Sequence, residues 1–224
     1  MNKLSKRLEV VAGYVKDNSK VIDIGCDHGL LSIYLVKKYK NIKVIASDVN
    51  ENALGSAINN IKKEGLEDRI ETRLGNGLEV VQPNEIDTIV IAGMGANTIV
   101  GILKYNASKL INVNNIIIQS NTDLYFLRKN ISKLGYYIED ETLVEDKNII
   151  YTVIKFSRGR KKYNYKELYL GPKLIVKDDI LFKKKCNKEL ITLKIILKNI
   201  NSGHYLYRLK IKRNIKILED VLGH

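Results

Sequence analysis

Two cysteines and three histidines among 224 residues leave little room for metal or disulfide chemistry. Cys26 and Cys186 cannot build a disulfide framework or a four-ligand zinc site. His28, His204 and His224 are scattered, so no metal site is expected. No run of about 18 apolar residues occurs, so a membrane span is not expected either. The opening stretch, MNKLSKRLEVVAGYVKDNSK, sets apolar residues at helical spacing among charges and lacks the apolar centre of a signal peptide. The expectation is a cytoplasmic protein in a reducing compartment. Its length suits one ordinary α/β domain with a smaller addition.

Acidic residues are scarce in one region only. Residues 1–157 hold 20 Lys and Arg against 19 Asp and Glu, a net of +1, whereas residues 158–224 hold 18 against 6, a net of +12. A lysine-rich proteome would have enriched both regions. A basic block confined to one end points to a polyanionic partner, nucleic acid or an anionic membrane surface. The alternative is a solvated helical face.

After an N-terminal helix, strand-like and helix-like segments alternate. Strands are expected at KVIDIG (20–25), KVIASDV (43–49), 70–74, IDTIVIAG (86–93) and NIIIQSN (115–121). Helices are expected at 30–39, 51–64, 97–110 and 123–134. Strands that are apolar throughout, alternating with helices, indicate a parallel sheet covered on both faces. Residues 136–156 break the alternation with two strands about a polar stretch at Glu145 to Asn148, which reads as an antiparallel hairpin. A parallel sheet finished this way is typical of the class I, Rossmann-like, seven-stranded methyltransferases. SRGRKKYNYKE (157–167) reads as a linker, and Pro172 suits the first turn of the next helix. One long amphipathic segment to Ile200 carries Leu190, Leu193, Leu197 and Ile200. After NSGH (201–204), a second carries Ile211, Ile215, Leu218 and Leu222. These stripes predict an antiparallel, coiled-coil-like helical hairpin. The expected division is 1–158 for the Rossmann-like domain and 159–224 for the basic hairpin.

Three strand ends carry the chemistry. In VIDIGCDHG, Val21 to Gly29, a strand runs into a glycine turn and then a helix, which aims backbone N–H groups at a ligand. Its D-x-G-x-x-x-G spacing is not the GxGxxG of dinucleotide sites and fits a cofactor without pyrophosphate. A plain glycine turn is the alternative. Asp48 ends the second strand, where a carboxylate can accept both ribose hydroxyl protons; a helix cap is its alternative role. Asn76, in GNGL, stands where an adenine amino group could bind. AGMG (92–95) lies where enzymes acting on exocyclic amines usually carry an Asn/Asp-Pro-Pro-aromatic tetrapeptide. Having neither proline nor aromatic there, the chain is expected to spare exocyclic amines. Its two glycines leave space for a flat group to approach a methyl donor.

Together with LSKRLEVVAGYV, VIASDVNENAL, IIIQSNTDLYFLRKNISKLGYYIEDETLV and LGPKL, the loop and AGMG resemble the bacterial tRNA adenine(22)-N1-methyltransferase family from Leu4 to about Leu174. Leu30 and Ser32 stand near where that family has an aromatic and a proline, and Ser120 stands where it has a proline after Gln119. The resemblance implies transfer of a methyl group from S-adenosylmethionine to N1 of an adenosine, position 22 in the D-arm region of tRNA. The partner expected is tRNA, with no membrane and no metal, and the chain is expected to be a monomer or weak dimer. Asp27 is then the candidate catalytic group, accepting from the 6-amino group; bonding loop N–H groups is its alternative role. Arg7, Asp23, Gly25, Cys26, His28, Gly29, Asp48, Val49, Asn76, Gly77, Ala92, Gly93 and Met94 are implied as cofactor contacts, and Gly95 and Asn97 as substrate contacts. Lys183, Lys184, Lys185, Arg208, Lys212 and Arg213, with Lys210, are candidates for holding the RNA backbone. Tyr205 and Tyr207 could stack on bases, with a place in the hairpin core expected for at least one. The alternatives are a methyltransferase for another RNA site or a small molecule, and a non-catalytic RNA-binding protein. The missing GxGxxG disfavours a nicotinamide-dependent oxidoreductase.

Overall fold

Strands that are apolar on both sides need cover on both sides. In the computed structural model, which describes residues 4–201 and 203–223, the first 163 residues supply that cover for a seven-stranded sheet. Its strands are β1 (Lys20–Ile24), β2 (Lys43–Asp48), β3 (Ile70–Leu74), β4 (Thr88–Met94), β5 (Asn115–Ser120), β6 (Tyr136–Asp146) and β7 (Ile149–Arg158), in the order β3-β2-β1-β4-β5-β7-β6. The first five are parallel, and β7 runs antiparallel to both β5 and β6. Successive residues of one strand feed opposite cores. Val21, Val44, Val90 and Ile117 pack with Val11 of α1 (Lys6–Gly13), Leu35 of α2 (Leu30–Lys38) and Leu54 of α3 (Glu51–Lys63). Ile22, Ile89, Ile91, Ile116 and Ile118 pack with Ile99 of α4 (Ala96–Tyr105) and Leu127 of α5 (Leu124–Lys133).

The order reverses between β1 and β4, and such a switch point opens a crevice at the carboxyl ends of the strands. The expected hairpin is present, and its turn is tighter than the polar stretch suggested. Only Lys147 and Asn148 leave the strands, with φ of +50° and +64°, as a two-residue turn with both residues left-handed requires. The helix expected to Leu110 stops at Tyr105, because the Asn106 side chain donates to the Ile102 carbonyl at 3.0 Å and competes for the last turn.

The second unit begins at Asn164, five residues beyond the boundary expected from composition. The intervening residues stay with the sheet, where the Tyr163 hydroxyl accepts from the Ile138 N–H at 2.8 Å. The expected linker also hides a helix. Asn164 and Glu167 form a capping box that starts α6 (Tyr165–Leu170). Pro172 opens α7 (Pro172–Lys177) as expected, but the long segment to Ile200 is interrupted: Asp178 turns left-handed and Asp179 caps α8 (Ile180–Asn199). α8 pairs with α9 (Tyr205–Leu222) as the predicted hairpin; Ser202, in the break, lies outside the described residues. Leu190, Ile211, Ile215 and Leu218 are buried, while Leu193, Leu197 and Ile200, toward the turn, are half-buried. α6 lies across the far part of the pair, with Tyr165 Oη donating to Asn214 at 2.8 Å and Tyr169 Oη to Glu189 at 2.6 Å. Among the described residues no helix is long and apolar enough to cross a membrane.

One fully buried ion pair ties α5 to the terminal hairpin: Arg128 Nε donates to Glu141 Oε1 at 2.6 Å, both side chains having no exposure. Glu141→Ala leaves that guanidinium charge without its carboxylate, a loss of about 3–5 kcal/mol. Chemical denaturation should show it as a lowered midpoint with an unchanged slope.

Candidate active site

β1 ends at Ile24, and Gly25 turns the chain with φ +74°. A Cβ at Gly25 would meet only the terminal methyl of Met94, which can swing aside, so it is the left-handed backbone that favours glycine there. The N–H groups of Gly25 and Cys26 both donate to the Ser47 carbonyl, at 2.8 and 3.0 Å, which ties the loop to the end of β2. Asp27 is left-handed at φ +50°, and its N–H donates to Asp48 Oδ2 at 3.1 Å. Asp48 Oδ1 accepts from the Asn50 N–H at 3.0 Å. Capping of α3 falls to the Asn50 side chain, which accepts from Asn52 and Ala53, so the alternative role for Asp48 is taken by its neighbour.

Two cavities meet at this turn and share Gly25 and Met94. The larger, about 320 Å³, is lined by Arg7, Asp23, Cys26, Asp27, His28, Ala92 and Gly93, with Leu8, Leu30 and Leu31. The smaller, about 100 Å³, is lined by Ile24, Ser47, Asp48, Val49, Asn76 and Gly77, with Thr98 and Ile102. Asp23 is 3 % exposed and accepts from the fully buried Ser32 hydroxyl at 2.7 Å. Burial pushes its carboxyl from 3.8 up to about 6; the Ser32 hydrogen bond opposes this and the nearby Asp48 charge adds to it. Burial also raises the Cys26 thiol well above its ordinary range, so it lines the cavity as a neutral group and not as a nucleophile. Asp27 faces solvent, its side chain 72 % exposed, with the His28 ring 3.6 Å from its carboxylate.

The AGMG turn is held from β5. β4 bulges between Ala92 and Met94, with Gly93 at φ +88°. The Asn121 N–H donates to the Met94 carbonyl at 3.0 Å, the Ser120 hydroxyl donates to the Thr122 carbonyl at 2.9 Å, and Asn121 Nδ2 donates to the Gly93 carbonyl at 2.7 Å. The Ala96 N–H donates to Thr122 Oγ1 at 3.0 Å. Arg7 reaches the same place from α1. Its guanidinium donates to Gln119 Oε1 and lies 5.4 Å from the centre of the Tyr151 ring.

With this geometry in hand, comparison with known proteins is decisive. A family model described as tRNA (adenine(22)-N(1))-methyltransferase, TrmK, matches residues 21–220. The curated tRNA (adenine(22)-N(1))-methyltransferase of Bacillus subtilis is 32 % identical, over 99 % of this chain and 98 % of that protein. The chain belongs to the TrmK family. The crystal structure of the B. subtilis m1A22 tRNA methyltransferase TrmK superposes with a TM-score of 0.91 at 29 % identity, covering 99 % of this chain and all of that one. M. capricolum TrmK, solved with the cofactor product S-adenosylhomocysteine, gives 0.87 at 31 % identity and 98 % coverage of both chains.

In this TrmK-family chain, most of the residues singled out at the three strand ends do converge. Gly29, Gly95 and Asn97 line neither cavity. Gly29 and Gly95 are the N-cap positions of α2 and α4, and Asn97 points outward one residue before Thr98, which does line the smaller cavity. Sequence reasoning missed Ser32, Gln119, Asn121 and Tyr151 as supports of the site. Their polar groups sit in apolar-rich strands and helices, where only the folded pairing shows what they reach.

In the second unit, two arginines expected to hold RNA have internal partners. Arg208 donates to the Ile200 carbonyl at 2.7 Å and so closes the end of α8, and the Arg213 guanidinium lies 3.5 Å from the centre of the Tyr165 ring. Lys183 pairs with Asp178 at 3.0 Å, while Lys184, Lys210 and Lys212 are exposed and Lys185 is half-buried. Tyr205 and Tyr207 are both exposed, so neither takes the core place expected for one of them.

A carboxyl held at about 6 instead of 3.8 costs folding roughly 3 kcal/mol once both states are ionised. Because the folded value is the higher one, this part of the stability is complete below pH 3.8 and lost as pH rises through about 6. Asp23→Asn should therefore unfold later than the parent at pH 8 and with no such advantage below about pH 4. Thermal melts across that range measure the difference.

Proposed function

We propose that this chain transfers the methyl group of S-adenosylmethionine to N1 of adenosine 22 in tRNA. The carrying observation is the pair of cavities joined at Gly25 and Met94, beside a strand end whose carbonyls are already engaged. In this reading the Rossmann-like unit binds the cofactor and does the chemistry in the cytoplasm, and the basic helical unit holds the RNA.

The residues fit the cofactor. Bound there, S-adenosylmethionine supplies an electrophilic methyl group on a sulfonium centre. Asp23 and Arg7, at one end, suit its ammonium and carboxylate; Asp48 suits the ribose hydroxyls and Asn76 the adenine, at the other. Asp48 is already oriented by two N–H donors, and its remaining lone pairs are free to accept. Gly25, with no side chain, and the flexible Met94 side chain beside it stand where the two ends meet.

N1 of neutral adenine has a lone pair, so no base is needed before attack. The protein has to place N1 in line and relieve the positive charge that then develops on the ring. Asp27 stands at the solvent side of the larger cavity, which it helps to line. From there it can accept from the 6-amino group and afterwards take its proton. His28 orders the loop from the other side, its carbonyl accepting from Asn60 at 2.9 Å. N1 lies on the Watson–Crick edge, so the adenine must leave any pairing or stacking to be reached. Holding the RNA during that step suits the exposed Lys184, Lys210 and Lys212, with Tyr205 and Tyr207 available to stack.

Incubation with labelled S-adenosylmethionine and unmodified tRNA, followed by nucleoside analysis, should yield 1-methyladenosine at position 22; label in any other nucleoside overturns the reading. Asp27→Ala should keep cofactor affinity within about threefold while turnover falls about a hundredfold. Equal losses in both would make Asp27 a cofactor contact. Affinity of the full chain for tRNA should fall by about a thousandfold between roughly 50 and 200 mM salt. Lys210→Glu with Lys212→Glu should weaken tRNA binding and flatten that salt dependence, leaving cofactor affinity unchanged.

A further inference from the structure

Gln119 and Asn121 have no part in the chemistry above, yet they form a hydrogen-bonded chain from one end of the cofactor cavity to the AGMG turn. The Arg7 guanidinium donates to Gln119 Oε1. Gln119 Nε2 donates to Asn121 Oδ1 at 2.9 Å, and Asn121 Nδ2 donates to the Gly93 carbonyl at 2.7 Å. The direction is forced at both ends, because a guanidinium has no acceptor and a carbonyl has no donor. Neither amide can be reversed without setting donor against donor or acceptor against acceptor. Gln119 is fully buried, so water cannot make good such a mismatch.

The two ends of this chain touch different things. Arg7 lines the larger cavity, where it suits the carboxylate of the cofactor. Gly93 is the exposed, left-handed residue of the bulge, on the wall that a flat substrate would approach. We propose that Gln119 and Asn121 are positioning residues that couple capture of the cofactor carboxylate by Arg7 to the setting of the Gly93 peptide against the target adenine. The proposal rests on the function proposed above. A carboxylate on Arg7 holds the guanidinium in place, the guanidinium orients Gln119, and the order passes through Asn121 to the peptide. The adenine wall is then fully set only when the methyl donor is present.

The test compares variants that keep shape but change donors. Asn121→Asp is isosteric but, ionised, cannot donate to the Gly93 carbonyl. Gln119→Glu keeps the acceptor for Arg7 and loses the donor for Asn121. Each should lower kcat about thirtyfold at saturating substrates, with cofactor Kd within about threefold; the melting temperature should be unchanged in Asn121→Asp, where the side chain is exposed, and lowered in Gln119→Glu, where a buried oxygen then faces Asn121 Oδ1. Asn121→Ala should be no worse than Asn121→Asp, because the donor and not the bulk is what counts. In 15N-labelled wild type, the Asn121 side-chain amide signal should shift when S-adenosylhomocysteine binds, and in Gln119→Leu it should not. Wild-type turnover in Asn121→Asp, or an Asn121 signal unmoved by the cofactor product in wild type, overturns the coupling. If wild type makes no 1-methyladenosine, the proposed function has failed, and the amide shift alone then decides whether the chain of hydrogen bonds responds to the cofactor.

Discussion

The left-handed turn at Gly25, beside Met94, is the constraint on which the site depends. β1 and β4 are direct neighbours, and their ends must part to admit a ligand, yet the sheet keeps them within hydrogen-bonding distance up to Ile24 and Ile91. The left-handed turn at Gly25 and the bulge at Gly93 solve this from the two sides, each at a residue without a side chain. What lies between is a gap with Met94 as its movable wall, and methionine is the apolar side chain best able to adjust there. Everything polar in the site is arranged around that gap, with Asp23, Asp27 and Arg7 on one side and Asp48 and Asn76 on the other.

Keeping charged groups beside an apolar sheet requires support from outside the site. Asp23 is buried under α2, where the Ser32 hydroxyl, also buried, donates to its carboxylate. Burial without that bond would favour the neutral acid still more strongly and so weaken the ion pair proposed above with the cofactor ammonium. Arg7 depends on its neighbours in the same way. It is carried by α1, whose Tyr14 is anchored to β6 through Thr142 at 2.6 Å, and its guanidinium is held by Gln119 and the Tyr151 face. The antiparallel hairpin that finishes the sheet thus does more than close an edge. It provides the surface on which α1 brings a cation to the strand ends.

Periodicity made the sheet legible, because apolar runs of strand length separated by amphipathic helices admit few arrangements. It also showed Asp23, Asp27, Asp48 and AGMG, since strand ends followed by glycine or acid are local signals. What stayed hidden was long-range pairing between polar side chains. Gln119 reads as an interruption in NIIIQSN until Arg7, 112 residues earlier, is found beside it. Composition misled in the basic region for a related reason. The run of basic residues around Arg160 concealed the capping box of Asn164 and Glu167, and counting charges could not show that Arg208 closes a helix end or that Arg213, though exposed, lies over a tyrosine ring.

The choice of target atom follows from what the β4 end can still offer. An exocyclic amine needs carbonyl acceptors to draw its hydrogens away and turn its lone pair toward the methyl donor. Here the Gly93 carbonyl already accepts from the Asn121 side chain and the Met94 carbonyl from the Asn121 N–H, so each has given up one lone pair within the protein. A ring nitrogen makes no such demand, since its lone pair lies in the plane and is unshared before reaction. Its requirement is relief of charge after attack, which an exposed carboxylate can meet and a tied carbonyl cannot. Asp27 is held in a left-handed turn with its backbone N–H committed to Asp48 and its carboxylate exposed, which suits the role proposed for it above. The site is thus short of acceptors where an amine would need them and has an anion where a methylated ring would.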